Sequence, residues 1–354
     1  MRPQEQIIRD AIQLMGGFRP AARYLREQGY DISESGIRGM KARWQEPEYD
    51  DVELEREFPQ AYEPTPAIDI EELVARRIGQ FARKKEIYDR DKLIQVRVNR
   101  DGPIGLGFFG DMHLDDDGTD LAEVMDHVSI FDGSVPGLYA GNVGDAFNNW
   151  VGRLERLYAE QSTTSNEALA LVEYVLKKIN WLYYTDGNHD LWNKGGDILK
   201  MILKGNTLVH KSTKVRLALR LPNGRNVKIY SVHGFRGRSQ WSDVFGAGKQ
   251  AQLDGEHHDI YVAGHTHVSG YTHGMRPSSE RMWHGLQIAS YKKIDRYAEE
   301  LNLDPKDLYN CPVALIDPHA TNEVNFIRFE FDPHEGAERL KWMQQRYQAG
   351  KSAS

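Results

Sequence analysis

Apolar positions along this chain follow two rhythms. Up to about residue 90 they recur every three or four residues, the spacing of helices with one buried face. Ile7, Ile8, Ala11, Ile12 and Met15 predict a helix over Gln4–Met15, ended by Gly16-Gly17. Ala21, Ala22, Tyr24 and Leu25 predict a second over Phe18–Glu27, with Pro20 in its first turn. Ser33 or Ser35 caps a third, running to about Trp44 through Ile37 and Met40. A fourth spans Asp69 to about Asp89, with Ile70, Leu73, Ile78, Phe81 and Tyr88 as its stripe. This stripe is expected to pack, leaving the basic residues solvated. From about residue 100 onward, short apolar runs bounded by glycine alternate with helical stretches, the pattern of buried strands and crossovers. The strands read as Ile104–Phe109, Gly137–Ala140, Ile179–Tyr184, Val227–Tyr230 and Ile260–Ala263. Val215–Leu221 and Val227–Val232 flank Pro222-Asn223-Gly224 as a hairpin. Late strands fall at Leu286–Ala289, Val313–Ile316 and Phe326–Phe331. Helices are predicted over Asp120–Ile130, Val151–Glu160, Ser165–Ile179, Asp197–Lys204 and His334–Tyr347. Crossovers mixed with hairpins imply an α/β fold with mixed sheets.

Composition narrows the class. A chain of 354 residues, 40% apolar and 27% charged, is globular and holds more than one average domain. The divisions are a helical unit over 1–45, a linker over 46–67, a connecting amphipathic helix over 68–100 and the main domain over 101–354. The linker is acidic and carries Pro47, Pro59, Pro64 and Pro66, the composition of an extended tether. The net charge of −7 gives no global basic field, so any contact with nucleic acid is local. The single Cys311 excludes an internal disulfide framework and fits a reducing cytoplasm. No membrane-length apolar run and no signal peptide appear. Within residues 1–45, two short helices and a third bearing Arg38, Lys41 and Arg43 resemble a helix-turn-helix, with DNA as partner. The bland reading of that unit is a docking or dimerisation module.

Five strands of the main domain each run into a polar turn. Gly110-Asp111-Met112-His113 follows the first, Gly144-Asp145 with Asn148 and Asn149 the second, and Gly187-Asn188-His189-Asp190 the third. His233 follows the fourth, and Gly264-His265-Thr266-His267 the fifth. Strands delivering side chains to one edge is how an α/β fold builds a site. Carboxylate, amide and imidazole donors suit manganese, iron or zinc. Any one of these turns alone is weak evidence, since an isolated Asp is most often a cap and an isolated His a core residue.

Together the ordered motifs, D-x-H, G-D-x-x-N, G-N-H-D, H and G-H-x-H, resemble the calcineurin-like metallophosphoesterase superfamily, from about Ile104 to the C-terminus. The wording of Gly144–Leu157 and Asp186–Trp192 is similar to a group found in phages and prophages, near the SbcD-type nuclease branch. The resemblance implies an αββα sandwich of two mixed sheets flanked by helices. It implies two divalent metals, manganese first, with Asp111, His113 and His267 on one and Asn188, His233 and His265 on the other. Asp145 bridges them. A hydroxide between the metals would be the nucleophile and His189 the general acid. Asn148 stands where many relatives carry an Asp supporting that histidine, and its amide is expected to hydrogen-bond the imidazole in its place. Asn149 and Asp186 stand where Ser/Thr phosphatases carry arginines, which weighs against a phosphomonoester dianion. Three functions follow: a nuclease acting on DNA, a phosphodiesterase for small or cyclic nucleotides, and a DNA-binding regulator with a vestigial site. Asp115, Asp116 and Asp117 read as a solvated acidic loop, and Trp150 and Trp192 as core packing. Oligomeric state is left open.

Overall fold

The computed structural model describes residues 3–44, 68–152, 155–157, 161–205, 208–277, 279–294 and 309–352. The predicted linker over 46–67 lies outside the described residues. The chain forms two compact units, Met1–Arg77 and Ile78–Ser354.

The first unit begins with α1 (Glu5–Met15), α2 (Phe18–Glu27) and α3 (Glu34–Trp44). Gly16 ends α1 in the left-handed conformation at φ 65°, donating its N–H to the Ile12 carbonyl. The Ser33 hydroxyl caps α3 by accepting from the Gly36 N–H at 3.1 Å. Ile8, Ala11, Ala21, Ala22, Leu25, Ile32 and Ile37 close into a small core. α4 (Ile70–Arg90) follows, its start capped by the Asp69 carboxylate. Its stripe does not pack as the sequence predicts. No residue of α4 is buried, and Ile70, Val74, Ile78, Phe81 and Tyr88 are each more than half exposed.

The second unit continues with β1 (Ile94–Arg97), β2 (Ile104–Phe109), α5 (Leu121–Ile130), β3 (Leu138–Asn142), α6 (Ser165–Lys178) and β4 (Trp181–Thr185). Then come the single turn α7 (Asn188–Leu191), α8 (Gly195–Ile202), β5 (Val209–Lys211), β6 (Lys214–Arg220), β7 (Asn226–Val232), α9 (Phe245–Leu253) and β8 (Ile260–Ala263). The chain finishes with β9 (Gly270–Arg276), β10 (Arg281–Gln287), β11 (Val313–Ile316), α10 (Glu323–Phe326), β12 (Ile327–Glu330) and α11 (Pro333–Ser352). Two six-stranded mixed sheets result, ordered β1-β6-β7-β8-β10-β9 and β12-β11-β2-β3-β4-β5. β2 through β5 run parallel, as do β7, β8 and β10.

Strand alternation explains the layers. Ile104, Leu106 and Phe108 of β2 join Leu217 and Leu219 of β6, Ile229 of β7 and Val262 of β8 in one apolar cluster between the sheets. The opposite face of β2 carries Gly105, Gly107 and Phe109 toward the helices. A Cβ on Gly107 would lie 2.2 Å from the Phe131 ring, so glycine there makes room for an aromatic. Val124 and Val128 of α5, Val172 and Leu176 of α6, and Leu340 of α11 cover that face. Ala247 and Ala251 of α9 cover Tyr230, Tyr261 and Trp283 on the outer face of the other sheet. The fold is therefore helix, sheet, sheet, helix.

Several elements differ from the pattern prediction, β10 among them, since Arg281–Gln287 overlaps the expected Leu286–Ala289 only at its end. Residues 94–97, placed in the connecting segment, pair with β6 as an edge strand. β5 is only three residues long, and β9 is broken in pattern by glycine and histidine. α9 carries two glycines, which weaken its helical signal. The helix expected over Val151–Glu160 lies partly outside the described residues, and 155–157 within it form a 3-10 turn.

Candidate metal centre

The five predicted turns meet at one end of the two sheets. Asp111 and His113 follow β2, Asp145 follows β3, and Asn188 and His189 open α7 after β4. From the other sheet, His233 follows β7 and His265 and His267 follow β8. Because these strands are parallel within each sheet, their C-terminal ends deliver all five turns to the same place.

Two clusters form there. The ligand atoms of Asp111, His113 and His267 lie within 4.8 Å of one another, as do those of Asp145, His233 and His265. His113 Nε2 stands 3.2 Å from His267 Nε2, and His267 Nε2 is 3.5 Å from Asp111 Oδ1. In the second cluster His233 Nε2 is 3.0 Å from both Asp145 Oδ2 and His265 Nδ1. His233 Nδ1 lies 2.9 Å from the Val143 carbonyl, a contact that places a proton on Nδ1 and turns Nε2 toward the site.

The backbone is held in costly shapes to achieve this. Asp111, His113, Asp145, His265 and His267 all have positive φ, between 41° and 74°. Non-glycine residues rarely adopt that region, and it is tolerated where surrounding contacts over-determine it. Here the turns hold one another. The Asp111 N–H donates to the Gly144 carbonyl at 2.8 Å, and His113 N–H to the Asp145 carbonyl at 3.2 Å. The His265 N–H donates to Asp111 Oδ2 at 2.8 Å, and the His189 N–H to Asp145 Oδ1 at 2.9 Å. Glycine lets the turns approach: a Cβ on Gly187 would lie 2.0 Å from Asp145 Oδ1, and one on Gly264 2.0 Å from Asp111 Oδ2.

The residues present fit a pair of divalent cations. Asp111 Oδ1 and Asn188 Oδ1 are buried acceptors without a hydrogen-bond partner among the described residues. A buried, unpaired oxygen is costly unless something positive meets it. Nitrogen lone pairs converge beside them, and no thiolate is present, the donor set of manganese, iron or zinc. The electrostatics agree. Burial pushes His113 well below the ordinary histidine value, and lowers His265 as well, which favours the neutral imidazole that a cation needs. Burial alone would raise Asp145, but His233 beside it holds its carboxyl below the usual carboxylate range. Burial disfavours a charged His233, yet the Asp145 carboxylate outweighs it and lifts the imidazole to about 10, so a cation binding at Nε2 would have to displace that proton.

His189 belongs to neither cluster, although its ring meets His113 edge-on at 5.0 Å. Its Nε2 is 4.0 Å from Asp145 Oδ2, and its Nδ1 donates to the Asn148 carbonyl. The expectation that the Asn148 amide supports this imidazole is corrected: the main chain does so, while the amide donates to Asp116 Oδ2 at 2.9 Å. Trp150 and Trp192 are more than core packing. Trp150 meets the His189 ring edge-on at 4.9 Å, and Trp192 lies 4.2 Å away on another side. Asp115 and Asp116 are buried rather than solvated. Burial raises Asp115 to about 6, and Asp116 pairs with the Lys292 ammonium at 3.0 Å.

One brace carries no prediction from the sequence. Fully buried Asp190 accepts from the N–H groups of Asp145, Ala146 and Gly187 at 2.8, 2.9 and 2.9 Å. It locks the second and third turns together. Its place next to His189 in the motif was the available signal. Asn149 and Asp186 are likewise engaged. The Asn149 amide donates to the His189 and Trp192 carbonyls, and Asp186 Oδ1 meets His210 Nε2 at 2.5 Å. On α3, Arg38 pairs with Glu34 at 2.9 Å, and Arg38 and Lys41 both lie over the Phe18 ring. The Arg43 side chain lies outside the described residues.

No protein-family model matches the chain, and no curated protein is significantly similar to it. Among solved structures it is similar to the calcineurin-like phosphoesterase YfkN from Bacillus subtilis, at 13% identity and a TM-score of 0.32. That alignment covers 70% of this chain and 97% of the other.

Proposed function

We propose that the protein is a hydrolase of phosphodiesters that works with two divalent metals and acts on DNA. The observation that carries this reading is the paired clusters, with Asp111 Oδ1 and Asn188 Oδ1 as buried acceptors that make no hydrogen bond among the described residues. Asp111, His113 and His267 would hold one metal, and Asn188, His233 and His265 the other, with Asp145 shared. Bound there, such ions lower the pKa of water and neutralise phosphate oxygens. The chain supplies the rest. His189, with Nδ1–H held by the Asn148 carbonyl, directs Nε2 toward the ligand carboxylate and can give a proton to a leaving oxygen. Trp150 and Trp192 fix the ring's position and keep water from its sides.

Substrate class follows from what the site lacks among the described residues. Neither Asn149 nor Asp186 offers a cation, and both are committed to other partners. A phosphomonoester dianion needs such clamps, whereas a diester carries one charge fewer. The pairing of Arg38 with Glu34 reduces the free charge on α3 and favours a second reading, a phosphodiesterase for small nucleotides.

A substrate panel with manganese separates the readings. Hydrolysis of bis-p-nitrophenyl phosphate and DNA, with little turnover of p-nitrophenyl phosphate, is expected. Turnover of cyclic nucleotides without DNA would select the second reading. Metal binding with no turnover of any phosphoester would leave a DNA-binding regulator.

A further inference from the structure

The segment after His233 is built as a presented loop. At its root, a Cβ on Gly234 would lie 3.5 Å from the His265 ring, so the loop leaves directly from the second cluster. Its neck is closed. Phe235 packs edge-on against Tyr230 at 5.4 Å, and a Cβ on Gly246 would meet Phe235 at 3.1 Å and the Gly237 carbonyl at 3.3 Å. The Phe245 ring would stand 3.2 Å from a Cβ on Gly237. Between these points the chain is held by its own turns. The Trp241 N–H donates to Ser239 Oγ at 3.1 Å, and the Phe245 N–H to the Ser242 carbonyl at 3.2 Å.

On this anchored loop Trp241 is 92% exposed, more than any other large apolar residue among those described. Packing does not account for it. Arg236 and Arg238 precede it on the same loop and are exposed, and Lys249 lies against the neck. Among the described residues, no ion pair or side-chain hydrogen bond engages these three cations. Arg236 is three residues from His233, at most about 10 Å along the chain. In a protein of net charge −7, a loop that carries a bare indole and cations without ion-pair partners among the described residues, and that leaves from the centre, selects a polyanion with flat faces. A duplex hides its base faces in the stack, whereas an unpaired strand exposes them.

We propose that this loop binds single-stranded nucleic acid, stacking one base on Trp241 and holding neighbouring phosphates with Arg236 and Arg238. The strand is thereby led to the metal centre. The inference rests on the hydrolase reading for its purpose, though not for its binding chemistry.

Binding and turnover test the two separately. Anisotropy of labelled oligothymidylate is measured on the full-length protein in EDTA, so that no strand is cut. An abasic strand of equal length serves as control. Trp241→Ala should weaken oligothymidylate binding about 5- to 150-fold and leave the abasic affinity unchanged. Arg236→Gln with Arg238→Gln should lower the slope of log affinity against log salt by about 1.4. Hydrolysis of bis-p-nitrophenyl phosphate by the manganese-loaded protein should be the same in all variants, because that substrate is too small to reach the loop. Equal affinity of wild type and Trp241→Ala for oligothymidylate overturns the proposal, as does equal wild-type affinity for the abasic strand. So does a change in mass by light scattering with DNA affinity intact, which would make the loop a protein contact. If Trp241 governs strand binding but the wild type hydrolyses no phosphodiester, the loop stands and the hydrolase reading falls.

Discussion

Asp145 ties the second cluster to the turn that carries His189. Its carboxylate is buried, touches His233 at 3.0 Å and accepts the His189 N–H, while its own N–H is held by Asp190. If it bridges two metals, as proposed, removing it takes away a shared ligand together with the acceptor that orients the third turn. Asp145→Ala should therefore lose both metals, not one. Elemental analysis after manganese reconstitution checks this, against an expected two per chain in the wild type. Retention of one metal by the variant would mean that Asp145 serves a single site. His189 is the opposite case, since it lies in contact with the ligands but belongs to neither cluster. His189→Ala should keep its metals while hydrolysis falls by roughly 10²–10⁴. The loss should shrink for a p-nitrophenolate leaving group, which needs little protonation. Equal losses on good and poor leaving groups would show that His189 does not act as an acid.

At the scale of elements, β2 shows how the chain fits its layers together. Glycine at 107 leaves the space that the Phe131 ring fills, and that ring also packs edge-on against Phe109 at 5.2 Å. Gly107→Ala should cost about 1–3 kcal/mol through overpacking. Phe131→Leu in the same chain should recover part of that loss, a non-additivity that denaturant unfolding of both single variants and the double variant would reveal. Strict additivity would show that the two positions do not share space. The same strand shows what was legible. Ile104–Phe109 and Ile260–Ala263 were read with their observed bounds, because fully buried strands appear as unbroken apolar runs stopped by glycine. β9 was not legible, since Gly270–Arg276 is half exposed and its pattern reflects a hairpin with β10. In the site, the turns were legible because each carries its own ligands. The packing of Trp150 on His189 was not, because residues 39 positions apart meet only through the fold.

At the scale of the molecule, the helices of residues 5–44 read almost as the sequence implies, from strong apolar spacing and glycine stops. α4 does not follow its expectation, because an amphipathic pattern announces a face without naming what covers it. Among the described residues no helix is long and apolar enough to cross a membrane. If the first three helices deliver the protein to duplex DNA, removing residues 1–45 should leave kcat on bis-p-nitrophenyl phosphate almost unchanged. It should raise KM for duplex DNA and flatten the salt dependence of binding. A low-salt shift assay showing equal affinity with and without those residues would remove DNA from the role of this unit.

The five left-handed ligand residues have a consequence for motion. Each turn is kept in an unfavourable backbone shape by hydrogen bonds from the other turns, so opening one releases strain in its neighbours. Cations bound by the closed arrangement alone would oppose that opening in proportion to their affinity. Amide hydrogens at 111–113, 144–146 and 264–267 should therefore exchange as one cooperative group, slowing together when manganese is added, while β2 and β8 beneath them stay unchanged. Independent exchange at the three turns, measured by mass spectrometry of overlapping peptides, would mean that they open separately.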